Sequence, residues 1–190
     1  MAIFLYYLFS WLIFIVLLLV LFLLFLWMWS NITSKVPFIS VPNKTLKEIE
    51  KIFELNDDSI VYDLGSGDGR VLFYLYKKHP KCKYIGIENS AFPLLLSNVR
   101  KWWFNKINKS NIQIIEKDFF EVDLSDATHI FTYLYPNIMD DLLPKLDQEL
   151  KPGTRLVSAS FHFTTKREIS MIDLERSKYQ LAKRLYIYEF

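Results

Sequence analysis

Residues 3–29 form an unbroken apolar run of Ile, Leu, Val, Phe, Tyr, Trp and Met without a charged side chain, and Ser10 is the only clearly polar break. At ~1.5 Å per residue, a helix of this length reaches about 40 Å and exceeds the ~30 Å hydrocarbon core of a bilayer. Tyr6, Tyr7 and Trp11 lie towards one end and Trp27 and Trp29 towards the other, the distribution of aromatic belts at two membrane interfaces. The pattern predicts one membrane-spanning helix. A cleaved signal peptide fits poorly, because the run is too long, no basic residue precedes it and no small-residue cleavage site comes after it. A helix buried in a soluble core is the other alternative.

Beyond this run the hydrophobic period changes several times. Asn31 to Asn43 reads as a linker punctuated by Pro37 and Pro42, and its apolar Phe38, Ile39 and Val41 predict that it packs on the adjoining domain. Leu46, Ile49, Ile52 and Phe53 recur at helical spacing behind a Thr45–Glu48 capping box, predicting a helix over 46–55. Short apolar runs then alternate with helical stripes. Strands are predicted at Ser59–Leu64, Lys83–Glu88, Asn111–Glu116, Ala127–Tyr133 and Arg155–Phe161. Helices are predicted over about 68–78, 91–105 and 138–149, the last kinked or divided by Pro144. Two further strands, 168–174 and 180–190, flank a charged turn and suit an antiparallel hairpin. This alternation predicts an α/β fold with a mostly parallel sheet and helices on both faces. The organisation is an anchor over 1–30, a linker over 31–44 and one domain over 45–190.

The candidate chemistry centres on Val61-Tyr62-Asp63-Leu64-Gly65-Ser66-Gly67-Asp68-Gly69-Arg70, a buried strand, a glycine turn and a helix start. A phosphate-binding loop would place Lys after its last glycine, and none stands here. The dinucleotide fingerprint is Gly-x-Gly-x-x-Gly, whereas Gly65-x-Gly67-x-Gly69 is one residue short. The first motif of the Rossmann-like methyltransferases that bind S-adenosylmethionine (SAM), Asp-Leu-Gly-x-Gly-x-Gly, is similar residue for residue. A tight turn in an unrelated α/β protein is the remaining alternative.

Downstream positions bear on that choice. Glu88 closes the second predicted strand 19 residues after Gly69, where a carboxylate can accept both ribose hydroxyls of a nucleoside; a solvated strand-end carboxylate is the ordinary alternative. Asn89 and Ser90 come next as turn formers beside the same pocket. Asp118 and Phe119, after the third strand, suit an adenine amino group and ring, or simply an exposed turn. Tyr133 and Tyr135 leave the fourth strand where an acceptor must approach the methyl donor; their ring faces suit an amine, and aromatic packing is the other reading. The helix bearing Trp102 and Trp103 could offer a nucleic-acid stacking site or face the sheet and the lipid surface, and core and interface packing suits it better.

Composition removes several classes. A net charge of +2 supplies no electrostatic case for nucleic acid. Cys82 is the only cysteine, which excludes an intramolecular disulfide framework and a cysteine-rich zinc site. His79, His129 and His162 lack metal-ligand spacing, so no metal is expected. Lys35, Lys44, Lys47 and Lys51 come after the apolar run, offset in part by Glu48, Glu50 and Glu54. The positive-inside tendency then places the domain on the cytoplasmic side.

On these residues the chain resembles the class I, seven-strand SAM-dependent methyltransferases. More closely, it resembles the small membrane-anchored protein-lysine methyltransferases that act on the adenine nucleotide translocase and the ATP synthase c-subunit, and their bacterial relatives. The likeness rests on the apolar N-terminal run, Val36 to Pro42, Tyr62 to Arg70, Gly86-Ile87-Glu88, Tyr133-Leu134-Tyr135-Pro136 and Leu146 to Ser158. It implies SAM as cofactor, with Asp63, Gly65, Ser66, Gly67 and Gly69 against its methionine and sugar portions. It further implies Glu88, with Asn89, at the ribose, and Asp118 and Phe119 at the adenine. Tyr133, Tyr135 and Asp68 are the candidates for orienting the acceptor at the catalytic centre. The resemblance implies N-methylation of a lysine on a protein, expected to be a membrane protein. Residues 3–29 would hold the enzyme in the bilayer with its domain facing the cytoplasm, or the matrix if mitochondrial. The alternatives are a lipid or other amphiphilic acceptor and a non-catalytic membrane-tethered scaffold. Phe161 to Lys166 stand where these relatives often carry a Pro- and Trp-containing loop, a departure that bears on the acceptor more than on the cofactor.

Overall fold

The computed structural model describes residues 1–33, 39–174 and 182–190. Strands β1 (Ile60–Leu64), β2 (Lys83–Glu88), β3 (Ile112–Glu116), β4 (His129–Thr132), β5 (Arg155–Ala159), β6 (Ser170–Asp173) and β7 (Arg184–Glu189) form one sheet. Their order is β3-β2-β1-β4-β5-β7-β6. β1 to β5 run parallel to one another, and β7 runs antiparallel between β5 and β6. The parallel strands are short and apolar because both faces of the sheet are covered.

Successive residues of β1 divide between the two faces. Val61 joins a core built with α2 (Asn43–Phe53) and α3 (Arg70–Lys78), whereas Tyr62 and Leu64 join the core under α5 (Pro136–Glu149). Helix α4 (Ala91–Ile107) lies on the first face, where Phe104 packs edge-on against Phe73 of α3 with ring centroids 5.2 Å apart. The predicted architecture is therefore borne out: a seven-strand, Rossmann-like α/β sheet with helices on both faces.

Helix α1 (Ala2–Thr33) stands outside these layers. Its stretch Ile3–Trp29 is long and apolar enough to cross a membrane, and none of it is buried in the protein. A buried core helix is thus excluded, and a membrane anchor is consistent with the exposure. α1 touches the domain at α4.

Three local expectations change. The predicted capping box does not form: α2 already starts at Asn43 behind an extended Pro42, and Thr45 sits in the first turn with its side chain turned inward. Its Oγ1 is buried without a hydrogen-bond partner. Replacing Thr45 with Val removes that unsatisfied hydroxyl at nearly constant shape, which should stabilise the fold by about 1–2 kcal/mol. The Tm in a thermal melt should rise by roughly 2–4 °C for each kcal/mol. Pro144 does not divide α5, because Ile138, Met139, Leu142, Leu143 and Leu146 are buried on both sides of it and hold one continuous helix on the sheet. Trp102 and Trp103 do not face the sheet; both are exposed. The linker residues Lys35, Val36, Pro37 and Phe38, the charged turn before the last strand, and Gln180 and Leu181 lie outside the described residues.

Candidate active site

The strand order reverses beside β1, and the crevice outside the carboxyl ends of β1 and β4 is where open α/β sheets hold ligands. A cavity of about 280 Å³ occupies that position. Its walls include Asp63 at the end of β1, the glycine turn, Glu88 at the end of β2, Asp118 and Phe119 after β3, and Tyr133 after β4.

The glycine turn is shaped by backbone geometry. Gly65, Gly67 and Gly69 have φ of 75°, 57° and 72°, a left-handed region that a Cβ disfavours. The amides of Gly65 and Ser66 both donate to the Ile87 carbonyl, at 2.9 and 3.0 Å, so the turn is fastened to the end of β2. Gly69 then serves as the N-cap of α3.

Glu88 is buried and oriented by three backbone donors. Gly67 N–H reaches Oε2 at 2.9 Å, and the amides of Asn89 and Ser90 reach Oε1 at 3.0 and 2.8 Å. Both oxygens remain able to accept from a ligand hydroxyl, since a carboxylate has about four lone-pair sites. Asp63 is buried, and burial pushes its carboxyl well above the usual range, with Glu88 and Asp68 adding like-charge repulsion.

Asp68 is bound differently. Its Oδ2 pairs with Arg100 Nη2 at 2.9 Å and with Arg70 Nε at 3.7 Å. The Asp68 carbonyl also accepts from Arg100 Nη1 at 2.8 Å, tying the turn to α4. Asp68 lines the cavity, but its carboxylate is engaged by these cations. Asp118 uses Oδ1 to accept from Phe120 N–H at 3.0 Å and so caps the 3-10 turn Phe119–Glu121, placing Phe119 on the cavity wall.

Of the two tyrosines singled out in the sequence, Tyr133 lines the cavity and Tyr135 does not. Tyr135 sits at the N-cap of α5. Phe161 packs against both, with centroids 6.2 Å from Tyr133 and 5.5 Å from Tyr135, which makes an aromatic rim after β4 and β5. Sequence reasoning missed Ile39 and Val41, which form a wall of the cavity. Arg70 Nη1 holds them there by donating to the Val41 carbonyl at 3.2 Å. Their apolar character between prolines signalled packing, but not against which surface.

Four acidic side chains, Asp63, Asp68, Glu88 and Asp118, thus line one cleft, and Arg70 and Arg100 pair with Asp68 rather than with Asp63 or Glu88. A cationic ligand with a vicinal diol and an aromatic base fits those acceptors and the Phe119 ring beside them, and SAM carries all three features. Among the described residues, no group of three His, Cys, Asp or Glu side chains is placed to hold a metal ion.

Comparison with known proteins agrees with this geometry. Residues 63–170 match the family described as the ANTKMT methyltransferase domain. A protein-lysine N-methyltransferase of Saccharolobus islandicus is 34% identical over 154 residues, covering 80% of this chain and 93% of that protein. The human lysine N-methyltransferase named for the ATP synthase c-subunit is 27% identical over 67% of this chain and 53% of its own length. The mouse adenine nucleotide translocase lysine N-methyltransferase is 24% identical over 73% and 58%. The chain therefore spans little more than half the length of the two animal relatives. An RNA methyltransferase from Salinibacter ruber, solved with S-adenosyl-L-homocysteine, superposes with a TM-score of 0.69 at 25% identity, covering 80% of this chain and 93% of that one. The chain belongs to the ANTKMT methyltransferase domain family and is a SAM-dependent methyltransferase.

Proposed function

We propose that this enzyme methylates a lysine side chain of a protein held in the membrane that residues 3–29 enter, with its domain, residues 45–190, on the cytoplasmic or matrix face. The observation that carries the membrane part is the cavity wall formed by Ile39 and Val41. α1 ends at Thr33, and the covalent chain from there to Ile39 spans at most roughly 22 Å. An acceptor reaching the cleft must therefore come close to the end of α1. The lysine part draws on the archaeal and animal relatives described above, all of them lysine methyltransferases by name.

In this reading Glu88 accepts hydrogen bonds from the ribose hydroxyls, Asp118 and Phe119 hold the adenine, and Asp63 with Gly65, Ser66 and Gly67 faces the cationic methionine portion, whereas Gly69 lies off the cavity wall, against Phe73 and Ser97, and starts α3. Asn89 fixes Glu88 through its amide. Asp68, held by Arg70 and Arg100, keeps the turn in register rather than meeting the acceptor directly. Bound SAM supplies an activated methyl group on sulfonium for displacement by nitrogen. Tyr133, with Tyr135 and Phe161 behind it, gives the acceptor a partly desolvated aromatic approach, which lowers the pKa of a lysine ammonium and favours its neutral, nucleophilic form. The remaining contribution of the protein is alignment.

Asp63 makes this assignment testable by pH. Its carboxyl is raised in the folded protein, so the folded state holds its proton more tightly than the unfolded chain. The stability from that preference is full below the unfolded carboxyl range and is lost as pH rises through the raised value. Asp63→Asn should therefore raise the Tm of the ligand-free protein at neutral pH and flatten that slope. It should also weaken SAM by roughly 10- to 100-fold, the loss expected for one charged contact of about 1.5–3 kcal/mol. Calorimetric titration and melts across pH read both.

The substrate test is to supply methyl-labelled SAM to membranes containing the full chain and to map the label by mass spectrometry. Methyl-lysine on an integral membrane protein is the expected result. Label confined to soluble proteins or to lipids overturns the reading, and a lipid product favours an amphiphilic acceptor.

A further inference from the structure

We propose that α4 is a second membrane-contacting element, whose outer face lies in the interfacial layer of the bilayer that α1 enters, against anionic headgroups. This rests on reading residues 3–29 as a membrane span.

The outer face is a single apolar stripe. Leu95, Val99, Trp102, Trp103 and Ile107 recur at helical spacing and are 37%, 48%, 55%, 60% and 87% exposed, with α1 in place. From Leu95 to Ile107 the stripe runs about 18 Å at ~1.5 Å per residue, a large apolar strip for a protein surface. It is not a loosely attached helix. Pro93, Leu94 and Ser97 are buried on the opposite side, and Phe104 packs on Phe73.

Two features select a lipid surface as the occupant. The first is continuity: α1 meets the domain at α4, so the chain's long apolar helix contacts the helix that bears the stripe. The second is charge and side-chain type. α4 carries Arg100, Lys101 and Lys106 and no acidic residue. Lys106 Nζ lies 3.6 Å from the Trp102 ring centroid and 4.8 Å from that of Trp103. Tryptophans beneath a snorkelling lysine are the arrangement that places rings at the headgroup boundary and a cation at the phosphates.

The consequence falls on the catalytic cleft. Ser90 and Pro93, at the head of α4, line the cofactor cavity, and Arg100 grips Asp68 in the glycine turn. Seating α4 on the bilayer therefore sets the height and tilt of the cleft above it. The anchor supplies proximity, and α4 supplies orientation.

Site-directed spin labelling of the full chain in phosphatidylcholine–phosphatidylglycerol vesicles tests this. Cys82, the only native thiol, is buried and should not label. Labels are introduced by Val99→Cys on the stripe, Leu18→Cys in α1 and Lys47→Cys on the exposed side of α2. Collision with oxygen, which partitions into lipid, is compared with collision with a water-soluble nickel chelate. The expected result is a Val99 label that favours oxygen, like the Leu18 label, and a Lys47 label that favours nickel. Trp102→Glu with Trp103→Glu should raise nickel collision at position 99 several-fold. A Val99 label that behaves like Lys47 while Leu18 stays in lipid overturns the proposal and leaves the anchor intact. A Leu18 label in water overturns both readings together. A Val99 label shielded from both reagents and broadened by a second label shows that another copy of the chain covers the stripe, which also overturns it.

Discussion

Glu88→Ala is expected to weaken SAM by about 10²–10³-fold. The carboxylate makes two contributions, and the substitution removes both. It would accept hydrogen bonds from the ribose, each charged contact being worth about 1.5–3 kcal/mol, where 1.4 kcal/mol is tenfold in affinity. It also terminates the amides of Gly67, Asn89 and Ser90. Without it, three N–H groups around the cavity lose their acceptor, and the turn is left tied to β2 only through the Ile87 carbonyl. Glu88→Gln separates the contributions. Its amide keeps one acceptor oxygen but turns an NH2 towards backbone donors, so it should bind worse than the parent and better than the alanine variant. Calorimetry with SAM and with S-adenosyl-L-homocysteine reads all three proteins. Equal affinity of Glu88→Ala and the parent would remove Glu88 from the cofactor site.

Gly86→Val carries the largest expected cost in stability. Gly86 lies in β2, beside the central strand β1. A Cβ there would stand 2.7 Å from Ser66 Oγ, 2.8 Å from Leu72 Cδ1 and 2.9 Å from Ser66 Cβ. The side chains of Ser66 in the glycine turn and Leu72 in the first turn of α3 thus rest directly on the backbone of β2, and Ser66 Cβ cannot retreat without moving the cavity wall. Overpacking a core typically costs about 1–3 kcal/mol, and a branched side chain at a site this close should exceed that range. Against a typical total of about 5–15 kcal/mol, the variant should melt far below the parent or accumulate as insoluble protein, and soluble material should not bind SAM. Gly153→Ala is the control. Gly153 has φ of 89° but open space around its missing Cβ, so that change costs backbone strain of only about 1–2 kcal/mol and should leave cofactor affinity unchanged. A Gly86→Val protein with parental Tm would contradict the close packing of turn on strand.

The two largest effects thus sit on residues of unequal visibility in the sequence. Glu88 was legible because an acidic residue at a strand tip, a fixed distance after a glycine turn, has a chemical reason to be there. Gly86 was not, because its importance lies in what approaches it from Ser66 and Leu72 across the fold. The same distinction runs through the rest of the chain. The sheet and its helices were readable because short apolar runs and helical stripes alternate cleanly from Ser59 to Ser158. The capping box at Thr45 misled because Pro42 had already opened the helix three residues earlier than the motif implied. Pro144 does not divide its helix because a local propensity is outweighed by five buried neighbours. Asp68 reads in sequence as a free carboxylate beside the donor; only the fold brings Arg100 from α4 to claim it. The pocket wall at Ile39 and Val41 was invisible for the same reason, since apolar linker residues announce burial without an address.

The position of β7 has a consequence for how the protein is made. β7 comes after every other strand in the chain, yet it lies inside the sheet, hydrogen-bonded to β5 on one side and β6 on the other. During synthesis α1 leaves the ribosome before any strand of the sheet. Until Arg184–Glu189 emerges, β5 presents an unpaired edge and β6 has no neighbour in the sheet. An unpaired edge is a template for pairing with another chain. The nascent domain therefore passes through an interval in which β5 needs protection, and closure by β7 ends it. Chaperone capture at that edge, or aggregation when translation stalls before β7, is the cost of placing the last strand in the interior.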